Sequence, residues 1–325
     1  MRFKSSRVLT LSDLFASLKG GGNNFGVVTA YTMQTHPQDH KVWGGNYIFT
    51  ADKTPQVLSA LRNFVDEYPD DKAAIILTSE HGALIDLWIM FLFYDGPEPP
   101  AGVFDEFTAI DHTSTTKTWD TYYDLLKNND FFILQYVYNS FISSRTKLTL
   151  ASGQRYTIAT ETTPVPNKTV GSSVLQEYYD HWYNVTEDVL SVTGVLGSIA
   201  FQPVPKTFSQ KAKDRGGDLL SVPTDQNYIF IELDFSYALS IDDDRIDQAN
   251  QKLYQGMGNL VQKNIDNGRL PDVYRPLFMN DAYYRQDYWG RIDPASKKQA
   301  LQTRLKYDPD GFFQQRTSGG WRLKE

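Results

Sequence analysis

Apolar and polar positions recur with clear periods along most of the 325 residues, so the chain can be read element by element. In "TPQVLSALRNFVDEYPD" the residues Val57, Leu58, Leu61, Phe64 and Val65 form a stripe at helical spacing, with Thr54 as cap and Pro55 in the first turn. "AAIILTSE" and "ALIDLWIMFLFYDG" read as two strands of an antiparallel pair, and "WGGNYIFT", "GVLGSIAFQPVP" and "NYIFIELDFSYAL" as further strands. "TLSDLFASLKGG" predicts a short helix capped by Ser12, with Leu14, Phe15 and Leu18 on one face and Gly20 as its stop. The β-branched, alternating "FGVVTAYTMQTHP" predicts a strand that ends near Pro37. "PAGVFDEFTAI", "TWDTYYDLLKNN" and the aromatic-striped "SVLQEYYDHWYNVTEDVL" predict helices, and so does the long "DDDRIDQANQKLYQGMGNLVQKNIDNG", closed by Gly268. The tail "YDPDGFFQQRTSGGWRLKE" predicts turns. Antiparallel strands followed by helices, without strict alternation, predict an α+β fold: an antiparallel sheet with helices on one face.

Charge and composition narrow the partners. A formal net charge of −7 argues against nucleic acid and anionic membranes, whose footprint is a basic excess. The absence of cysteine excludes disulfides, thiolate metal sites and cysteine nucleophiles. The first residues carry no apolar core of signal-peptide length, and "IDLWIMFLFY" is half a membrane span and contains an aspartate, so no membrane partner is expected and the compartment is left open. The Asp242–Asp244 run suits a helix start better than a calcium site, and His36 and His40 flank Pro37 in a loop, so no metal is expected.

The chemistry starts at "LKGGGNNFGVVTAYT". A dinucleotide fingerprint runs strand, glycines, helix, whereas here the order is helix, glycines, strand, and Gly20, Gly22 and Gly26 do not make GxGxxG. Two readings stay open: a bare helix-to-strand connection, or a turn whose backbone N–H groups meet an anion. "DLFASLKGGGNNFGVVTAYTM" resembles the segment that ends the flavin domain of berberine bridge enzyme-like oxidoreductases, with Asn23 where a fourth glycine usually stands. At the other end, "RPLFMNDAYYRQDYWG" and "RLKYDPDGFFQQRTSGGWRL" are similar to the C-terminal element of that family, through Asn280, Tyr307-Asp308-Pro309 and Phe313. "LGSIAFQPVP" and "RGGDLLSV" look like its fungal branch.

The resemblance implies FAD as cofactor, with Gly20, Gly21, Gly22, Asn23, Asn24, Phe25, Gly26, Val27 and Val28 lining its adenine and pyrophosphate, largely through backbone, and Asn280 reaching the flavin. It implies a remnant of a p-cresol methylhydroxylase-type FAD domain over 1–35, a substrate-binding α+β domain over 36–272, and a C-terminal element over 273–325 that returns to the flavin domain. It further implies a small-molecule oxidase of an alcohol, sugar or specialised metabolite, with hydride passing to flavin N5 and O2 as acceptor. Gln202 and Tyr237 are the candidates for catalytic groups facing the ring, while Glu232 is expected to be solvated. Family members carry most of the flavin domain, with its attachment His and Cys, ahead of the glycine segment. Here 19 residues precede Gly20, and none of His36, His40, His81, His112 and His181 follows a Gly-Gly pair. An N-terminally truncated chain without covalent FAD is therefore expected, prone to self-association through the face a missing domain leaves. The alternative is an inert homologue that acts at most as a binding partner.

Overall fold

The computed structural model describes residues 11–38, 40–129 and 154–324, so most of the N-terminal stretch read for a signal peptide lies outside the described residues. In chain order the first elements are α1 (Ser12–Leu18), β1 (Val42–Thr50), α2 (Thr54–Glu67), β2 (Ala73–Gly82), β3 (Ile85–Tyr94) and α3 (Asp105–Thr108). Next come the short β4 (Thr113–Ser114) and β5 (Lys117–Trp119), then β6 (Arg155–Pro164), α4 (Ser173–Glu187) and β7 (Leu196–Val204). The last are α5 (Lys206–Asp214), β8 (Tyr228–Tyr237), α6 (Asp243–Asp266), α7 (Pro294–Tyr307) and α8 (Phe312–Gln315).

These elements divide between two compact units. One comprises Met1–His36, Val204–Asn227 and Asp272–Glu325; the other comprises Pro37–Pro203 and Tyr228–Pro271. Residues 204–227, expected inside the 36–272 domain, thus pack with the two chain ends. Leu219 explains why: it is buried in the same apolar cluster as Leu14, Phe25, Tyr288 and Leu323, and its N–H donates to the Lys19 carbonyl at 3.0 Å.

The second unit is built on one sheet in the order β4-β1-β3-β2-β7-β8-β6, with β5 also on β1. The β2–β3, β1–β3, β2–β7 and β6–β8 pairs are antiparallel. Because side chains alternate across a strand, the register sorts them into two faces. Leu77 opposes Met90 and Phe201, and all three are buried on the face that carries the helices. On that side Val57, Leu58, Leu61 and Val65 of α2 are buried, and Tyr179 of α4 stacks on Trp88 of β3 at 5.3 Å. Each such aliphatic side chain contributes roughly 1.5–3 kcal/mol of hydrophobic stabilisation. The other face carries Ile76, Thr78, Glu80, Leu87, Ile89, Phe91 and Phe93 of β2 and β3, all half-buried or exposed.

Three local expectations are corrected. Residues 25–38 form no strand: Val27, Tyr31 and Met33 are 78%, 81% and 82% exposed, and among the described residues no strand pairs with them. A β-branched run needs a neighbouring ladder to satisfy its backbone, and propensity alone does not supply one. Ser12 and Thr54 are first helical residues rather than caps. The Thr54 hydroxyl donates to the Ala51 carbonyl at 2.7 Å and accepts from Trp88 Nε1 at 2.8 Å, so it tethers α2 to the sheet instead. Asp243, in the first turn of α6, is held by the Tyr237 hydroxyl and the Arg155 guanidinium.

Candidate active site

The two sequence motifs from opposite ends of the chain meet in the first unit. Asp13 of α1 accepts from Lys306 Nζ at 2.8 Å and from the Tyr307 hydroxyl at 3.0 Å. Asp308, the next residue of the Tyr-Asp-Pro motif, is buried and accepts from the Phe312 and Phe313 N–H groups, which fixes the start of α8. Asn24 closes the assembly. Its amide nitrogen donates to the carbonyls of Gly21 at 2.8 Å and Trp321 at 2.9 Å; its oxygen accepts from Gln314 Nε2 and the Leu323 N–H, both at 3.1 Å. A primary amide offers two donors and two acceptor sites, so Asn24 is saturated within the protein.

The glycines divide the same way. A Cβ on Gly21 would lie 2.1 Å from the Ser17 carbonyl oxygen and 2.2 Å from the Phe25 ring. Gly20, at φ +87°, passes its carbonyl to the buried Tyr288 hydroxyl. Phe25 belongs to the apolar core, and Asn23 bonds to Ser318, Gly319 and Arg322. Gly20, Gly21, Asn23, Asn24 and Phe25 are therefore engaged in internal structure. Gly22, at φ +59°, is exposed, Gly26 has no atom within 4 Å of where a Cβ would stand, and Val27, Val28 and Asn280 are exposed. Exposed backbone at Gly22, beside the Met279 side chain, and at Gly26, where no atom is near, fits a ligand that backbone must approach closely, such as the diphosphate of FAD.

On the face of the sheet opposite Leu77, Met90 and Phe201, polar groups from four strands converge. Gln202 of β7 donates its amide to Glu232 Oε2 of β8 at 2.8 Å, and Ser198 of β7 donates to Glu80 Oε2 of β2 at 2.6 Å. The Tyr156 hydroxyl of β6 donates to the Asp234 carboxyl, and the Glu232 carboxyl lies within hydrogen-bonding reach of it. Asp234 is 4% exposed. Burial, then the Glu232 charge, push the Asp234 carboxyl up to about 9, against the Tyr156 hydrogen bond. Burial of its carboxyl end also lifts Glu80 to about 7; the Glu232 charge adds to this and the Ser198 hydroxyl opposes it. Tyr156 is 59% exposed as a residue. Burial at its hydroxyl end, then the Asp234 charge, raise its phenol.

Gln202 thus stands in this cluster, and Glu232 is half-buried and hydrogen-bonded rather than solvated. The structure separates Tyr237 from it. Strand alternation turns Tyr237 to the other face of β8, where its hydroxyl donates to Asp243 Oδ1 at 2.8 Å; burial and that bond raise its pKa, the wrong direction for a phenolate base. Glu80 and Tyr156 were not singled out in the sequence, and Asp234 showed there only as part of the polar face of β8. They lie on three different strands, and the register that unites them leaves no local motif.

No protein-family profile matches the chain. It is 37% identical, over 96% of its own length, to an uncharacterised FAD-linked oxidoreductase of Arthroderma benhamiae, of which it spans 59%. Its fold is that of berberine bridge enzyme from Eschscholzia californica over 93% of this chain and 59% of that one, with a TM-score of 0.62 at 13% identity. A xylooligosaccharide oxidase from Myceliophthora thermophila, solved with xylobiose, aligns over 95% of this chain and 61% of its own with a TM-score of 0.60 at 12% identity. The resemblance carried by the glycine segment and the Tyr-Asp-Pro element holds in sequence and in fold, and the α+β architecture agrees with it.

Proposed function

We propose that the chain, a relative of berberine bridge enzyme-like FAD-linked oxidoreductases, provides the substrate-facing sheet of an enzyme that oxidises an alcohol, sugar or specialised metabolite, with O2 as final acceptor. The observation that carries this reading is the Glu232–Gln202 pair, half-buried on the sheet face opposite the one that packs on α2 and α4. When bound, FAD would supply the two-electron acceptor. The open backbone at Gly22 and Gly26 to Val28, with the exposed Asn280, would hold it. Glu232 accepts the proton of a substrate hydroxyl, and the Gln202 amide keeps its carboxylate oriented for that transfer. Leu87, Ile89, Phe91 and Phe93 on the same face offer apolar surface to the rest of a small molecule. The alternative, an inert binding partner, gives no role to a half-buried carboxylate–amide pair.

Because the chain spans 59% of its Arthroderma relative, the test pairs it with the N-terminal flavin segment of that relative. The pair is expected to retain FAD, and Gly22→Val, which puts a β-branched residue at φ +59° with its Cβ 3.3 Å from Met279 Sδ, is expected to abolish retention. Retention by Gly22→Val equal to the unmutated pair would make the turn a mere connection. By itself the chain is expected to self-associate at micromolar concentration through the apolar strip of Val27, Tyr31 and Met33. A monodisperse monomer in light scattering, with no binding of hydrophobic dye, would contradict that expectation.

A further inference from the structure

Asp234 presents a problem that its surroundings do not solve. It is 4% exposed, and its Oδ1 finds no hydrogen-bond donor among the described residues. The neighbour within reach is another carboxyl, Glu232, two residues along the same face of β8. Two ionised carboxylates side by side repel, and a buried oxygen without a donor has lost its water with nothing in return. A single proton between them removes both penalties.

We propose that Asp234 stands as a neutral carboxylic acid sharing one proton with Glu232, and so positions the Glu232 carboxylate beside Gln202. The role of Glu232 as base, which this deepens, rests on the function proposed above; the shared proton does not. The partners decide which carboxyl holds the charge. Glu232 is half-buried and receives the Gln202 amide at 2.8 Å, whereas Asp234 is buried and has the Tyr156 hydroxyl on one side. The negative charge is better placed on Glu232 and the proton on Asp234. The titratable groups acting on Asp234 are Glu232 on its own strand, Tyr156 from β6 and Glu80 from β2; from β7, Gln202 bonds to Glu232 and Ser198 to Glu80. Asp234 is thus a positioning residue. It keeps the face at one fewer negative charge than its carboxylate count suggests, which suits a neutral, hydroxyl-bearing substrate.

The sign of the pH effect follows from linkage. An ordinary Asp releases its proton near 3.8, while folded Asp234 holds one up to about 9. The folded state therefore binds a proton that the unfolded chain lacks, and stability falls as pH rises through that window. The experiment follows thermal unfolding of this chain from pH 5 to 9, beside Asp234→Asn, together with infrared spectra of the protonated carboxyl stretch. The unmutated chain is expected to lose Tm across the window and to show a protonated-carboxyl band at pH 8, where Glu80 is mostly ionised. Asp234→Asn is expected to flatten the curve, to lie above the unmutated chain by about 3 °C or more at pH 9, and to lack the band. Glu232→Gln is expected to keep the band but move its loss to lower pH, because the charge that raises Asp234 is gone. A band absent from the unmutated chain above pH 5 would overturn the proposal without any variant having to fold. Parallel Tm curves for the unmutated chain and Asp234→Asn would overturn it too. None of these readings needs flavin or turnover, so they stand or fall separately from the oxidase function.

Discussion

Asn24→Asp is expected to unfold the unit built from the two chain ends, at a cost of about 3–5 kcal/mol, while the same change at the adjacent Asn23 costs about 1 kcal/mol or less. The contrast follows from the bonding. At Asn24 the substitution replaces two N–H donors by an oxygen that faces the carbonyl oxygens of Gly21 and Trp321. Two buried acceptors lose their partners, and a carboxylate is left among oxygens. At Asn23 the oxygen already accepts from Arg322 at 2.9 Å, so a carboxylate there meets a cation, and the donor bonds given up are the long ones of 3.3 and 3.4 Å. Urea unfolding followed by tryptophan fluorescence reads the difference, since Trp289 and Trp321 both lie in this unit. Equal midpoints for the two variants would mean that Asn24 does not hold the ends together.

How far the fold was legible depends on where its signal lay. Helix α2 and the β2–β3 pair carry strong apolar periods, and the structure forms them where the sequence predicts. Helix α7 was missed because "PASKKQALQTRLKY" is polar nearly all round, although Asp293, which accepts from the Ala295 and Ser296 N–H groups, and Pro294 announce its start. Strand β6 was missed because its buried positions are largely threonines, Thr160, Thr162 and Thr163, which apolar alternation does not count. The glycine segment was legible as a motif, but not its division of labour. Nothing local tells that Asn24 is internally saturated while Gly22 stays exposed. Glu232 was visible as the polar face of a strand; that Gln202 of β7 stands beside it is a property of the whole sheet.

The largest functional effect is expected at Glu232. If it takes the substrate proton, Glu232→Gln removes the acceptor while preserving size and a hydrogen bond to Gln202, and oxidation should slow by roughly 10²–10⁴-fold. The loss should appear in the rate of flavin reduction at saturating substrate, since the amide still fills the same space on the sheet. FAD retention should be unchanged, because the residues proposed to hold it are those of the glycine turn and Asn280. The measurement that bears most directly on the oxidoreductase reading is anaerobic stopped-flow reduction of FAD in the chain paired with the flavin segment of its Arthroderma relative. A panel of sugars and primary alcohols serves as substrate, with the unmutated pair beside Glu232→Gln. The expected result is rapid bleaching of the flavin absorbance by at least one compound, slowed at least a hundredfold by the substitution with the flavin still bound. Bleaching at the same rate in both proteins would contradict the account.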